Sequence, residues 1–220
     1  MDNRLLCVAK LLENNCVVAD IGTDHAKLPI YLIQNNIAKK VIASDVKAAP
    51  LKTGQKNVFK AGAADKIELR LSCGFANYKQ EEFSVAVIAG MGGETIAEII
   101  KECPFNLNVP LILQPMTCTD RLLDFLNQNG FMVLKHLAVK SEGRIYNILK
   151  VIKNGTHNND PLFNIVGKLD LQDPISYELL HKKLLSLKKM AKEIENIPRK
   201  QKEFIKAKQT INLLTERLGE

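Results

Sequence analysis

Residues 17–25, VVADIGTDH, constrain this chain more than any other stretch. Val17, Val18 and Ala19 form an apolar run of strand character, and Asp20-Ile21-Gly22 closes it with a tight turn. A helix near 27–36 follows, with Pro29 in its first turn, where no N–H is needed. A strand, a glycine turn and a helix N-terminus together favour nucleotide-like ligands. Backbone N–H groups face the ligand, and glycine lets it come close.

The same rhythm repeats along the chain. A strand at 41–44 ends in Asp45, and a helix with Pro50 near its start reaches about Lys60. Residues 67–71 alternate as a third strand and end at Cys73-Gly74-Phe75. A fourth strand, 83–89, is broken by Gly90-Met91-Gly92-Gly93 before a helix from about Glu94. A fifth, 109–113, leads through Gln114-Pro115-Met116 into a helix over 119–129. Two β-rich runs, 131–139 and 144–152, flank a turn at Gly143 and predict an antiparallel hairpin. Five βα units and a hairpin predict an α/β, Rossmann-like, mostly parallel sheet with one reversed strand near its edge. Residues 2–13 have helical spacing and are expected to cover the sheet.

After a polar loop at 153–160 the pattern becomes purely helical. Leu180, Leu184, Leu187, Met190 or Ala191, Ile194 and Ile197 step in threes and fours, with Asp173-Pro174 as cap and first turn. Pro198 interrupts, and Phe204, Ala207 or Lys208, Ile211, Leu214 and Leu218 resume the stripe. This predicts a helical hairpin zipped as an antiparallel coiled coil, and a division into residues 1–155 and 156–220.

The charge is concentrated there. Between His181 and Lys208 stand ten Lys and Arg against three Glu, an excess of seven that equals the formal +7 of the whole chain. Lys182, Lys183, Lys188, Lys189, Lys192, Arg199 and Lys200 are the candidate contacts to a polyanion, the alternative being a solvated helical face. The five cysteines show no Cys-x-x-Cys pair, which argues against a disulfide framework or a zinc site. No metal site and no membrane span are expected; a cytoplasmic monomer is.

A dinucleotide site would carry Gly-x-Gly-x-x-Gly, whose later glycines make room for a pyrophosphate. Here Asp24 and Lys27 occupy those positions after Gly22. A carboxylate repels a pyrophosphate but suits an ammonium or sulfonium group. Asp45, at the end of the second strand, is placed to grip the two hydroxyls of a ribose. The set Asp20, Gly22, Asp45 therefore favours S-adenosylmethionine over NAD. Gly74 and Phe75 would meet the adenine, Phe75 being equally at home in the core. The glycine loop at 90–93 lies where open α/β sheets bind ligands, and it lacks the Asn/Asp-Pro-Pro-Tyr/Phe motif of exocyclic-amine methyltransferases.

Asp20-Ile-Gly-Thr-Asp-His25, Ser44-Asp45-Val46, Ala89-Gly-Met-Gly-Gly93, Leu113-Gln-Pro-Met116 and Glu142-Gly-Arg-Ile-Tyr146, in that order, resemble the bacterial tRNA adenine-22 N1-methyltransferases. The likeness extends to the C-terminal helical hairpin. Cys73-Gly74-Phe75 and Ala48-Ala49-Pro50 depart from the family pattern. The resemblance implies a class I methyltransferase fold, S-adenosylmethionine as cofactor, and methylation of N1 of adenine in the D-arm region of tRNA. Asp20, Gly22, Thr23, Asp24, His25, Asp45, Val46, Gly74, Phe75, Ala89, Gly90, Met91 and Gly92 would then line the donor. Gly90 or Met91 carbonyls, or the Gln114 side chain, would accept from the adenine amine. Asp24 and His25 would sit at the methionine end, and Tyr146 would stack on or close over the base. Asp24 also suits a helix N-cap, and His25 and Tyr146 suit structural roles. The competing classes are a methyltransferase for another RNA, a protein or a small molecule, and an RNA-binding protein with a relic Rossmann domain.

Overall fold

The computed structural model describes residues 1–220. Its strands are β1 (Cys16–Ile21), β2 (Ala38–Asp45), β3 (Ile67–Leu71), β4 (Val85–Gly92), β5 (Leu111–Thr117), β6 (Phe131–Ser141) and β7 (Arg144–Lys153). They form one seven-stranded sheet in the order β3-β2-β1-β4-β5-β7-β6. Pairings from β3 through β5 are parallel, and β7 runs antiparallel to both β5 and β6. The reversed strand is therefore β7, one in from the edge. The order turns at β1, which has β2 on one side and β4 on the other, and such a switch point opens a crevice at the strands' carboxyl ends.

The central strands β2, β1, β4 and β5 carry continuous apolar runs because both faces are buried there. Val18, Val41, Val85, Val87 and Ile112 face one core, shared with α1 (Asn3–Lys10), α2 (Lys27–Gln34) and α3 (Ala48–Lys60). Their neighbours Ala19, Ile42, Ala86, Ile88, Leu111 and Leu113 face the other, closed by α4 (Gly93–Lys101) and α5 (Thr119–Gln128).

Three strands are longer than their apolar runs. β2 begins at Ala38 because its ladder to β1 already pairs Cys16 with Ala38 and Val17 with Lys40, a stretch in which the exposed Lys39 and Lys40 carry no hydrophobic signal. The glycines after Ala89 do not end β4. The ladder skips Gly90 as a bulge and resumes as Met91 with Pro115 and Gly92 with Thr117. Gln114 accordingly lies within β5 rather than in a connecting loop.

The C-terminal part holds α6 (Phe163–Val166), α7 (Pro174–Ile194), a 3₁₀ turn (Pro198–Lys200) and α8 (Gln201–Leu218). Asp173 caps α7, accepting from the Ser176 N–H at 2.9 Å, and Pro174 opens its first turn. Near its base the hairpin packs on more than itself. Leu180, Leu184 and Leu214 share a cluster with Leu162, Val166, Leu169 and Ala138 of β6. Ala191, not Met190, continues the buried stripe toward the tip, with Ile194 and Ala207. α6, only four residues long, gives too little periodicity to read from the sequence. His136 of β6 joins the two parts: its Nε2 lies 2.8 Å from Asn147 Oδ1, and its Nδ1 accepts from the Lys168 N–H at 3.2 Å.

Candidate active site

A cavity of about 580 Å³ opens at the carboxyl ends of β1, β2 and β4. Asp20, Gly22, Thr23 and Asp24 form one wall, Asp45 the next, and Ala89, Gly90 and Met91 a third. Gly22 has φ +78°, a left-handed conformation that favours glycine, and the Met91 Cε methyl rests where a Cβ would stand. The N–H groups of Gly22 and Thr23 both donate to Ser44 O at 2.8 Å. The turn after β1 is thereby fixed to β2, with Asp20 and Asp45 on neighbouring strands.

The electrostatics single out Asp20. It is 4% exposed. Burial pushes its carboxyl up to about 6, and Asp45's charge adds to the shift. Its Oδ2, Thr23 Oγ1 and Ser44 Oγ are buried without a hydrogen-bond partner. Buried polar atoms are costly unless bonded, and of these residues Asp20 and Thr23 line the cavity, where a ligand's polar groups would meet them. Asp45 accepts from the Lys47 N–H through Oδ1 at 2.8 Å.

Asp24 does not cap α2. The residue before the helix is Ala26, at φ +60°, and no side chain bonds the first turn. The Asp24 carboxylate instead stands two-thirds exposed at the cavity, with Oδ1 3.4 Å from His25 Nε2. His25 itself lies outside the lining. Its carbonyl accepts from Asn57 Nδ2 at 3.0 Å, and its Nδ1 is buried without a partner.

On the opposite side, Gly90 sits at φ +82° and donates its N–H to Gln114 Oε1 at 3.0 Å. Gln114 is wholly buried, and its Nε2 donates to Pro115 O at 2.8 Å. The same Oε1 accepts from Arg4 Nη1, so the Gln114 oxygen, one of the three candidate acceptors for the adenine amine, already has two donors. Tyr146 does not line the cavity; its ring centre lies 5.9 Å from the Arg4 guanidinium carbon. Arg4, Asp2 and Leu5 form a wall that the sequence did not announce, because a short amphipathic helix carries no motif. Lys27 and Glu142 also line the space, and Glu142 belongs to a segment already singled out.

Val46, Gly74, Phe75 and Gly92 are not brought to the cavity. Val46 points to solvent, and Gly92 precedes the first turn of α4. Gly74 packs toward Ile99. Phe75 is 1% exposed, stacked on Phe83 and edge-on to Tyr78 and Phe105, which makes it a core ring.

The basic residues lie on α7, the 3₁₀ turn and α8. Lys182 pairs with Glu178 at 2.7 Å, Lys183 with Asp120 at 3.2 Å, Lys188 with Glu220 at 4.0 Å and Lys200 with Glu203 at 3.9 Å. Lys189, Lys192 and Arg199 are exposed and make no ion pair. No group of His, Cys, Asp and Glu is placed to hold a metal ion, and no helix is long and apolar enough to cross a membrane.

Residues 1–149 match the family described as methyltransferase domain. The chain is similar to Streptococcus pneumoniae Sp1610, described as a candidate tRNA (m1A22) methyltransferase. The two share 30% identity over 97% of this chain and 99% of that one, with a TM-score of 0.88. The chain belongs to the bacterial tRNA (adenine-22-N1)-methyltransferase family. The tRNA (adenine(22)-N(1))-methyltransferase of Bacillus subtilis is 32% identical over 151 residues, 68% of this chain. The match spans 63% of the Bacillus protein, less than two thirds of its length. M. capricolum TrmK, solved with S-adenosyl-homocysteine, is 27% identical over 100% of this family member and 98% of its own chain, with a TM-score of 0.83.

Proposed function

We propose that this chain methylates N1 of adenine 22 in tRNA, with S-adenosylmethionine as donor, as a cytoplasmic monomer. One observation carries the reading: the buried Asp20 has an unpartnered oxygen beside the Gly22 turn, in the same cavity as Asp45 and the Gly90 bulge. When bound, the donor supplies an electrophilic methyl group on a sulfonium centre. The chain's own residues fit it. Gly22 holds the turn in its positive-φ form at the cavity wall, and Asp45 offers a carboxylate to ribose hydroxyls at the end of β2. Asp2, Asp20, Asp24, Asp45 and Glu142 face the cavity against Arg4 and Lys27, a balance that favours a cation.

Adenine N1 carries an in-plane lone pair, so the residues need supply no strong base. They must align the base with the donor and tolerate the positive charge the product acquires. N1 lies on the Watson–Crick edge, so the base has to leave its pair or stack before the Gly90–Met91 wall can receive it. Residues 156–220, read as a coiled-coil arm, hold the tRNA through phosphates, giving affinity and orientation rather than sequence choice.

Incubation with tRNA and donor, then nuclease digestion and mass mapping of modified nucleosides, tests the reading. The expected result is 1-methyladenosine at position 22 and nowhere else. Methylation at another position, or none, overturns it.

A further inference from the structure

Arg4 belongs to none of the motifs in the sequence, yet its guanidinium meets Asp2, Gln114 and the Tyr146 ring beside the cavity. Its side chain is 16% exposed, and Nη2 donates to Asp2 Oδ2 at 3.1 Å. Asp2 caps α1, its Oδ1 accepting from the Leu5 N–H at 2.9 Å, so the ion pair is anchored to the start of that helix. Nη1 donates to Gln114 Oε1, which also takes the Gly90 N–H. The guanidinium lies by the Tyr146 ring, and a Cβ on Gly90 would come within 3.5 Å of Nη1.

Charge argues against Arg4 as a contact for the reacting nitrogen. Methylation leaves a positive charge on the adenine, which a free guanidinium would oppose. Asp2 offsets that charge, and what remains is geometry. Two donors on one oxygen, with Nε2 tied to Pro115 O, hold the Gln114 amide in one orientation. Gln114 in turn holds the exposed Gly90 in its left-handed bulge, a conformation for which neither ladder neighbour supplies a partner.

We infer that Arg4 is a positioning residue: through Gln114 it fixes the Gly90–Met91 loop against which the adenine is aligned. This rests on the reading of the chain as an adenine methyltransferase. The role needs the planar fork of arginine. A lysine ammonium on a flexible stem keeps the charge but cannot hold Asp2 and Gln114 together in that geometry.

The test uses full-length Arg4→Lys, Arg4→Met and Gln114→Leu chains and the Arg4→Met/Gln114→Leu double variant. Single-turnover methylation is measured at saturating donor and tRNA, beside donor affinity by calorimetry. Both Arg4 variants are expected to react about 30- to 100-fold more slowly, the scale of a misplaced reacting group. The donor dissociation constant should stay within about threefold, and the double variant within about threefold of the slower single one, because the two residues act as a unit. Hydrogen exchange at the Gly90 amide, followed without tRNA, should be about tenfold faster in Arg4→Met. A wild-type rate in Arg4→Lys, a loss confined to donor affinity, or multiplicative effects in the double variant would overturn the inference. If the wild-type chain leaves adenine 22 unmodified, the functional reading fails. The exchange experiment still decides the geometry, and an unchanged Gly90 amide in Arg4→Met overturns it.

Discussion

Asp20 and His136 are both buried ionisable side chains of the sheet, and burial drives each toward its neutral form. They differ in what surrounds them. Both ring nitrogens of His136 have partners, Asn147 and the Lys168 N–H, and Asn147 passes the network on to Thr119 Oγ1 at 3.2 Å. Asp20 has an oxygen with no partner, beside two hydroxyls in the same condition. A perturbed pKa does not by itself separate a functional group from a structural one. Hydrogen bonds and position together do so here: the satisfied histidine closes a joint, and the unsatisfied carboxylate belongs to a residue that lines the cavity.

The sharpest way to break this comparison is Asp20→Asn. The carboxyl is raised from 3.8 to about 6, so ionising it at neutral pH costs the folded state about 3 kcal/mol. The variant is expected to unfold at higher urea at pH 8, with stability higher by up to about 3 kcal/mol, while donor affinity falls about 30-fold with the loss of a charged acceptor. Calorimetry and urea titration read the two halves. A variant that loses stability would make Asp20 a structural group like His136.

His136→Phe should give the opposite signature. It strands Asn147 and the Lys168 N–H, at a cost of about 2 kcal/mol in stability. Donor affinity measured below the melting range should be unchanged, because His136 lies outside the cavity lining. A loss of donor binding in the folded variant would contradict the assignment of the joint.

A smaller effect is expected where neither burial nor geometry is at stake. Lys189, Lys192 and Arg199 are exposed and unpaired, unlike Lys182 or Lys183. Changing all three to Gln should weaken tRNA binding about tenfold near 0.15 M salt. It should also reduce the slope of log affinity against log salt by about 2, at ~0.7 per phosphate contact. Donor binding should not move. An unchanged salt slope would leave this face of the hairpin as solvated surface.

The contrast also explains what could be read from the sequence. The centre of the sheet was legible because its strands are buried on both faces and because β1, β2 and β4 run into Asp or Gly at the crevice. Asp20, Gly22, Asp24, Asp45, Gly90 and Met91 all lie within a turn of a strand end, and the structure brings them to one cavity. The extensions of β4 through Gly92 and of β5 through Thr117 depend on ladder partners, not on local side chains, so no apolar run announced them. Arg4 reaches Gln114 across 110 residues of sequence, a distance no motif spans. Phe75 shows the converse limit. A ring after a strand looks the same whether it faces an adenine or, as here, three other aromatic rings.

The finest test sets the two groups against each other in acid. The folded pKa of His136 is depressed from 6.5 to about 4, so its contribution to stability is present above 6.5 and is lost as pH falls toward 4. Asp20 has the opposite sign. Its folded pKa is raised, so stability is regained as pH falls through about 6 toward 3.8. Each contribution amounts to about 3 kcal/mol, and their windows overlap. In the wild-type chain their two contributions should nearly cancel, leaving the unfolding free energy flat to within about 1 kcal/mol between pH 6.5 and 5, above the range in which the ion-paired Glu68 and Glu82 lose theirs. Asp20→Asn should expose a slope that falls toward acid, and His136→Phe one that rises. Urea midpoints at half-unit pH steps read both. Two slopes of the same sign would show that the groups do not stand in opposition.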